Sequence, residues 1–480
     1  MPDRPNILFI LPDQLRPDYL SCYGAQFIRT PHIDSLAAEG TLYGRCYSGS
    51  PVCVPARVSL MTGMNAIKTG VLDNSHFLPP DYAASGLRTW PEMLFAAGYH
   101  TAAIGKMHFY PWEAPLGFQE RIIAEDKIWI RIQDDYARRL AEHGYAKTVG
   151  NDKPEYHANH GAFISDIPWD LSVDRFVGQE TCRYLREYDR EEPFALMVGF
   201  PGPHNPYDPT PEFARLFDPE DMPAPIPEGQ DPLRLGGGGG RRSWYAIENA
   251  AFTERHMRVM RAYYAALVAQ IDHEVGDILS TLRERGMLEN TVVIFSSDHG
   301  DYLGDHGLTG KNSFFEPATR VPLLVRAPGA EGGRFEGLVE LTDVTATILG
   351  HAQVPLPGYY DSAPLPAAGL EAAGEGREYV FGALASGWMV VDGEWKLCKY
   401  ANGQTMLFHL PSDPQEQHNL YADPAAAEAF GRLDEVLTRE LVRSVRAAAH
   451  ERRVMAGSLS NSDDFGRVGW CRPYPGHVEK

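Results

Sequence analysis

Four continuous apolar runs, each closing on residues able to do chemistry, restrict this 480-residue chain to few architectures. Asn6 to Leu11 ends in Asp13 and Gln14, and "YHTAAIG" runs into Lys106 and His108. "PFALMVG" leads to His204, and "TVVIFSS" to Asp298 and His299. Unbroken apolarity, rather than alternation, predicts strands covered on both faces. Between them, Trp90–Ala97, Arg175–Arg190 and Arg258–Arg285 show helical spacing, the last closed by Gly286. Helices alternating with such strands predict an α/β fold with a mostly parallel sheet flanked by helices. In these sheets functional groups collect beyond the carboxyl ends of the strands. Asp13, Lys106, His108, His204, Asp298 and His299 all fall there, so the pattern predicts one site.

The chain is too long for one ordinary core. A larger domain over residues 1–370 and a smaller α+β domain over 371–480 are expected. In the latter, "MVVDGEWKLCKY" and "TMLFHLPSDP" read as antiparallel strands turning at Asp392-Gly393, before a helix from Pro424 to about Met455. Gly236 to Gly240, followed by Arg241 and Arg242, reads as a flexible surface loop. The Pro-rich apolar tail from Ser458 to Lys480 predicts docking onto another subunit, hence a homo-oligomer, dimer or tetramer.

Charge narrows the partners. With 44 basic and 64 acidic residues the net charge is −20, without a dense basic run. Neither nucleic acid nor an anionic membrane is expected as a partner. An anionic substrate would have to be drawn in by local cations. The apolar run Ile7–Leu11 is too short for a signal peptide, and no segment approaches the ~20 apolar residues of a membrane span. A cytoplasmic protein with reduced thiols is expected from six scattered cysteines.

"SDHGDYLGDHGLTGKNSFFEP" gathers Asp298, His299, Asp301, Asp305, His306 and Lys311. Carboxylates and imidazoles at a strand end suit a divalent cation, with Asp13 and Gln14 as further oxygen donors. Asp301 and Asp305 read instead as loop-stabilising carboxylates. A free thiol at Cys53 would sit badly beside such a hard cation. Yet "YSGSPVCVPARVSLMTG" holds Cys53 between Pro51 and Pro55, with Arg57 one helical turn on.

Cys53-Val54-Pro55-Ala56-Arg57 fits the C-x-P-x-R signal that converts cysteine to formylglycine. With Ser59, Leu60, Thr62 and Gly63 it resembles the signature of type I sulfatases of the alkaline phosphatase superfamily. The likeness continues through "RPNILFILPDQ", "TPHIDSLAAEG", "GYHTAAIGKMHF", "GPHNPY", "SDHGDYLGDHG", "GKNSFFEPATRVPLLVRAPG" and "LFHLPSDPQEQHNL". It leans toward the choline-sulfatase-like and phosphonate monoester hydrolase-like branches. The resemblance implies an alkaline-phosphatase-like fold and hydrolysis of a small sulfate monoester. Cys53, as hydrated formylglycine, would be the nucleophile. One of its hydroxyls would sit on a metal held by Asp13, Gln14, Asp298 and His299. Arg57 would orient the diol, and Lys106 and Lys311 would hold ester oxygens. His204 would protonate the leaving alkoxide, His108 would take a proton from the second hydroxyl, and Asn74 would donate to a sulfate oxygen. A formylglycine-generating enzyme is the implied maturation partner. Gln14 stands where many family members carry a second Asp, and His299 brings nitrogen, so manganese stands beside calcium as the expected ion.

Three other readings remain at this point: a phosphonate monoester or phosphodiester hydrolase on the same machinery, a binding protein on a decayed enzyme fold, and a hydrolase using unmodified Cys53. Cross-reactivity between sulfate and phosphonate esters is expected, since both place charge on non-bridging oxygens. The Lys106-x-His108 pair favours the sulfatase. Trp112, Trp129, Tyr110 and Tyr207 are candidates for an aromatic wall around an aryl or quaternary-ammonium leaving group.

Overall fold

The computed structural model describes residues 4–79, 81–128, 130–233, 253–371 and 374–451. The apolar runs become the centre of a nine-stranded sheet. Its strands are β1 (Asn6–Ile10), β2 (Thr41–Tyr47), β3 (His100–Gly105), β4 (Glu120–Ile123), β5 (Phe194–Gly199), β6 (Thr291–Ser296), β7 (Arg320–Val321), β8 (Leu323–Arg326) and β9 (Gly333–Glu340). The spatial order is β4-β3-β5-β1-β6-β8-β2-β7, with β9 added on β2. From β4 to β6 all neighbours are parallel. β8 runs antiparallel to both β6 and β2, so β2 points the same way as β6. The sheet is therefore mixed, with its parallel part carrying the predicted strand ends.

Burial on both faces explains why these strands do not alternate in polarity. Leu8, Ile10, Ile104, Leu196, Val198 and Phe295 face the helices Val173–Glu187 and Glu254–Glu284. Their sequence neighbours Ile7, Phe9, Ala103, Met197 and Ile294 face the helices Cys53–Thr62, Trp90–Ala96 and Asp343–His351. Each large apolar side chain so buried contributes about 1.5–3 kcal/mol. The long helix Glu254–Glu284 presents Leu267, Ile271, Val275, Ile278 and Leu282 at three- and four-residue spacing. It begins at Glu254, ahead of the expected Arg258, because Thr253 and His256 form a capping box.

β10 (Val380–Leu384), β11 (Gly387–Val391), β12 (Trp395–Tyr400) and β13 (Thr405–His409) form a separate antiparallel sheet in that order. Its predicted Asp392-Gly393 turn is present, with the Asp392 side chain accepting from the Glu394 and Trp395 amides and Gly393 at φ 92°. Leu433 and Leu437 of the helix Ala427–Glu451 pack on Val390, Leu397 and Leu407. Pro424–Ala426 is a short 3-10 turn ahead of that helix. Cys22, Cys46, Cys53, Cys182 and Cys398 are unpaired. The expected glycine loop (236–240), the arginines at 241 and 242, Trp129, Cys471 and the tail from 458 lie outside the described residues.

Candidate active site

The ends of four adjacent parallel strands, β3, β5, β1 and β6, deliver Lys106 and His108, His204, Asp13 and Gln14, and Asp298 and His299. Strand ends in register bring distant residues together without long side chains reaching across. Gly105 makes the junction possible: it sits at φ +96°, and a Cβ there would lie 2.0 Å from the Gly199 carbonyl oxygen.

Cys53 arrives from the helix Cys53–Thr62. Val52 is its N-cap in extended conformation, so Pro55 falls in the first turn, where the missing amide leaves nothing unsatisfied. Asn74 Oδ1 accepts from the Val54 amide at 2.9 Å and so pins the start of the helix. At the other end Gly63 is left-handed at φ +67°, and a Cβ there would strike the Tyr360 ring at 2.5 Å. Arg57, four residues after Cys53, shares its helix face. The guanidinium turns to the carboxylates: Nη2 reaches Asp13 Oδ2 at 3.0 Å, Nε reaches Asp298 Oδ2 at 2.9 Å and Nη1 donates to the Lys106 carbonyl at 2.8 Å. Its role in the fold is thus to hold the two strand-end acids side by side.

Ligating atoms of Asp13, Cys53, Asp298 and His299 all lie within 4.8 Å of one another, and all four residues are buried. Cys53 Sγ is 3.2 Å from His299 Nε2, 3.3 Å from Lys311 Nζ and 3.8 Å from Asp13 Oδ1. His299 Nδ1 donates to the Gly300 carbonyl at 2.9 Å, which leaves Nε2 as a lone-pair donor facing the cluster. Two carboxylates and one imidazole, each oriented from behind, fit a divalent cation. Gln14 is left-handed at φ 71°; its backbone amide donates to Asp298 Oδ1 at 3.0 Å, and its carboxamide oxygen accepts from Lys311.

Electrostatics follow from this crowding. Burial alone would raise the Cys53 thiol, but Lys311, Lys106 and His299 outweigh it and hold it well below its ordinary value. Burial, together with Cys53, would raise Asp13, yet Lys106, His204 and Arg57 keep it low. Asp298 is pushed up by burial and by Asp13 beside it.

Lys106 Nζ bridges Asp13 Oδ2 and Asp126 Oδ2, each at 2.7 Å. His108, at φ 59°, is held through its backbone amide by both Glu125 oxygens, at 3.2 and 3.1 Å, and its imidazole is a further group that lowers the Cys53 thiol. His204 Nδ1 pairs with the Asn205 carbonyl at 2.6 Å and lies 3.9 Å from Asp126 Oδ1. Asn74 is exposed and sits at the helix start, apart from the ligating cluster.

Sequence reasoning did not pick out Asp126 or Glu125. Both follow β4, and the strand-end rule applied to "RIIAED" would have found them. Asp301, read as loop-stabilising, accepts from the Leu303 and Gly310 amides at 3.0 and 2.9 Å, from Tyr207 at 2.6 Å and from the Gln14 carboxamide. Asp305 is likewise tied to Arg16 and Arg261. The expected aromatic wall does not form as a unit, because Tyr207 is buried and turned to Asp301.

The Sulfatase family model matches residues 5–354. The chain is 32% identical to a choline-sulfatase of Rhizobium meliloti, covering 93% of this chain and 86% of that one. It is 29% identical to an arylsulfatase of Clostridium perfringens, over 91% and 94% respectively. Among solved structures, a phosphonate monoester hydrolase of Agrobacterium radiobacter superposes with a TM-score of 0.73 at 24% identity, covering 91% of this chain and 95% of that one.

Proposed function

The chain belongs to the sulfatase family, and from that membership we propose that it is a sulfuric ester hydrolase whose nucleophile is formylglycine made from Cys53. The fold is alkaline-phosphatase-like. One observation carries the reading: a thiol encoded within C-x-P-x-R lies buried at the meeting point of Asp13, Asp298, His299 and Lys311. Its Sγ marks the place that an oxygen of the hydrated aldehyde would take.

The roles assigned here rest on contact and charge. Asp13, Asp298 and His299, with Gln14 beside them, would hold the ion, and calcium or manganese suits the mixed oxygen and nitrogen set. Bound there, the ion would lower the pKa of an oxygen ligand and offset charge on the ester. Arg57 fixes the two acids. Lys106 and Lys311 supply the positive charge that non-bridging sulfate oxygens need as the S–O bond breaks. His108, next to position 53, accepts the proton of the second hydroxyl, and His204 gives one to the departing alkoxide. Asn74 holds the start of the helix that carries Cys53, and its carboxamide is proposed as an additional donor to a sulfate oxygen.

We assign this chemistry to residues 1–370 and a supporting role to 371–480. Sulfate and phosphonate esters develop similar charge, so activity toward both is part of the proposal. Unpaired thiols among the described residues support a cytoplasmic location, and no helix among those residues is long and apolar enough to cross a membrane. A homo-oligomer is proposed from the Pro-rich tail; light scattering that returns the 53.3 kDa of one chain would overturn it.

Mass spectrometry of the peptide spanning Val52 to Arg57, paired with turnover of matched aryl sulfate and phosphonate monoester substrates, tests the assignment. An aldehyde at position 53 and preference for sulfate are expected. An intact thiol in fully active enzyme would overturn the nucleophile, and a preference for the phosphonate ester would move the protein to that activity.

A further inference from the structure

Glu125, Asp126 and Lys127, which follow the edge strand β4, are all buried. Glu125 accepts from the His108 amide, and Asp126 pairs with Lys106. Lys127 reaches a different segment. Its Nζ donates to the Pro206 carbonyl at 3.3 Å and pairs with Asp208 Oδ1 at 2.7 Å, so it grips the loop that carries His204 on both sides of Tyr207. The lysine side chain is only 6% exposed and lines a small internal cavity with Tyr136, Ser172, Asp174 and Leu267.

That loop has few ways to hold itself. Pro203 and Pro206 lack amide hydrogens, so residues 203–206 offer only two backbone donors. Its entry is fixed where the Gly202 carbonyl accepts from the Asp13 amide at 3.1 Å, and its exit where the Tyr207 amide donates to the Gly161 carbonyl at 2.8 Å. Between these points the His204 ring is bonded through Nδ1 to the carbonyl of its own neighbour, Asn205. A carbonyl only accepts, so Nδ1 carries the hydrogen and Nε2 is left for proton transfer. This bond sets the tautomer but not the place of the ring, because both partners move together. Asp126 Oδ1, at 3.9 Å, lies beyond hydrogen-bond distance. The ring therefore sits where the loop sits, and Lys127 holds the second half of that loop from outside.

We propose that Lys127 is a positioning residue for the general acid: through Pro206 and Asp208 it keeps His204 Nε2 aimed at the oxygen of the leaving group. The inference rests on the reading of His204 as the acid and adds what places it. As the S–O bond breaks, its electron pair stays on the departing oxygen, which takes the Nε2 proton and leaves as the alcohol. A misplacement of about 1 Å can cost such a step on the order of a hundredfold. The loss falls on leaving groups that need the proton.

Two esters of similar bulk read this. 4-Nitrophenyl sulfate leaves as a stable phenolate, whereas 2-(4-nitrophenyl)ethyl sulfate leaves as an alkoxide that must be protonated. Lys127→Met keeps an unbranched side chain without its donors. It is expected to lower kcat/KM for the alkyl ester about thirtyfold and for the aryl ester no more than about threefold. Asp208→Asn, which leaves Lys127 an acceptor, should show the same bias with an alkyl loss of about fivefold, and it decides alone should Lys127→Met not fold. His204→Asn should be the most biased, by about a hundredfold. Adding Lys127→Met to His204→Asn should cost the alkyl ester no more than about twofold further, since the acid it would place is gone. An equal loss on both esters in the Lys127 and Asp208 variants, or a full further loss in the double variant, makes Lys127 a stabiliser of the fold and overturns the proposal. So does unchanged alkyl turnover in Lys127→Met beside a biased His204→Asn, which leaves the acid assignment standing. If His204→Asn lowers both esters alike, the acid is misassigned and the proposal falls with it.

Discussion

Lys106 and Asp126 form an ion pair at 2.7 Å in which the lysine side chain has no exposed surface and the aspartate only 2%. The pair stands at the ends of neighbouring parallel strands, β3 and β4. Burial alone would raise Asp126, but Lys106, His204 and His108 prevail and hold it well below the usual carboxylate range. Burial would lower Lys106, but Asp126, Asp13 and Cys53 outweigh it and hold the lysine well above its ordinary value. Asp126→Ala leaves that charge with Asp13 alone and should cost about 3–5 kcal/mol in urea unfolding. Asp126→Asn, which preserves shape and one acceptor, should cost less while still lowering kcat, since His204 loses the carboxylate 3.9 Å away.

Maturation should be confined to the unfolded or nascent chain. Cys53 has no exposed surface, and Val54, Pro55, Ala56 and Arg57 around it are buried as well. A modifying enzyme cannot read C-x-P-x-R in that state. Folded protein still carrying the thiol should stay unmodified when mixed with a formylglycine-generating enzyme, whereas denatured protein or the corresponding peptide should be converted. Mass spectrometry of the Val52–Arg57 peptide reads both arms. Efficient conversion of the folded form would show that the helix opens readily.

Chelation should remove activity and stability together. Asp13 and Asp298 are pressed side by side by Arg57, and Asp298 is already pushed up by burial and by Asp13. An ion present at a hundred times its dissociation constant would add about 2.7 kcal/mol to the folded state. Dialysis against a chelator should lower the melting temperature, and adding calcium or manganese back should restore both readouts. The ion that restores them at the lower concentration identifies the native one. A melting temperature indifferent to chelation would leave the acids as a purely structural pair.

How far the sequence reached follows from the physics of each feature. The strands carrying Asp13, Lys106, His204 and Asp298 were legible because two-sided burial leaves an unbroken apolar signature, and because strand ends place chemistry. β7 (Arg320–Val321) and β4 (Glu120–Ile123) are too short or too exposed to leave such a mark. Their consequences were lost with them: Asp126 and Glu125 depend on seeing β4, and the antiparallel insertion of β8 depends on pairing, which no local pattern encodes. Arg57 stood out in the sequence for its place one helical turn after Cys53, but its position behind the two acids is a tertiary fact.

The C-terminal sheet should be needed for activity, although it contributes no residue to the cluster. Lys396 of β12, fully buried, bridges Glu316 at 2.6 Å and Glu416 at 2.7 Å and donates to the Phe314 carbonyl at 3.0 Å. Glu416 also accepts from the Glu316 amide at 2.7 Å, which explains the acid in "DPQEQHNL". The segment so held follows Lys311 by only a few residues. Lys396→Met removes the shared cation from two buried carboxylates and should destabilise the protein by about 3–5 kcal/mol. KM and kcat for an aryl sulfate should both worsen at temperatures where the variant is still folded. Unchanged kinetics there would mean that the lysine loop keeps its shape without this anchor.

Stability should fall between pH 6.5 and pH 4 through His306, a residue outside the cluster of Asp13, Cys53, Asp298 and His299. Its ring stacks on Phe315 at 4.0 Å and 8°, and neither ring nitrogen has a hydrogen-bond partner among the described residues. Burial lowers it from an ordinary 6.5 to about 4, with Asp305 opposing and Lys396 and Arg16 assisting. Below pH 6.5 the unfolded chain takes up a proton that the folded chain refuses, so the unfolded state gains as pH falls. The loss from pH 6.5 to 5 from this one group is about 2 kcal/mol, at 1.36 kcal/mol per pH unit. His306→Asn suits the left-handed backbone at φ 55° and cannot titrate. It should cost some stability at every pH by losing the Phe315 contact, yet flatten the slope of urea midpoints between pH 5 and 6.5 by about one proton's worth. A variant with the parental slope would assign the acid sensitivity to other groups.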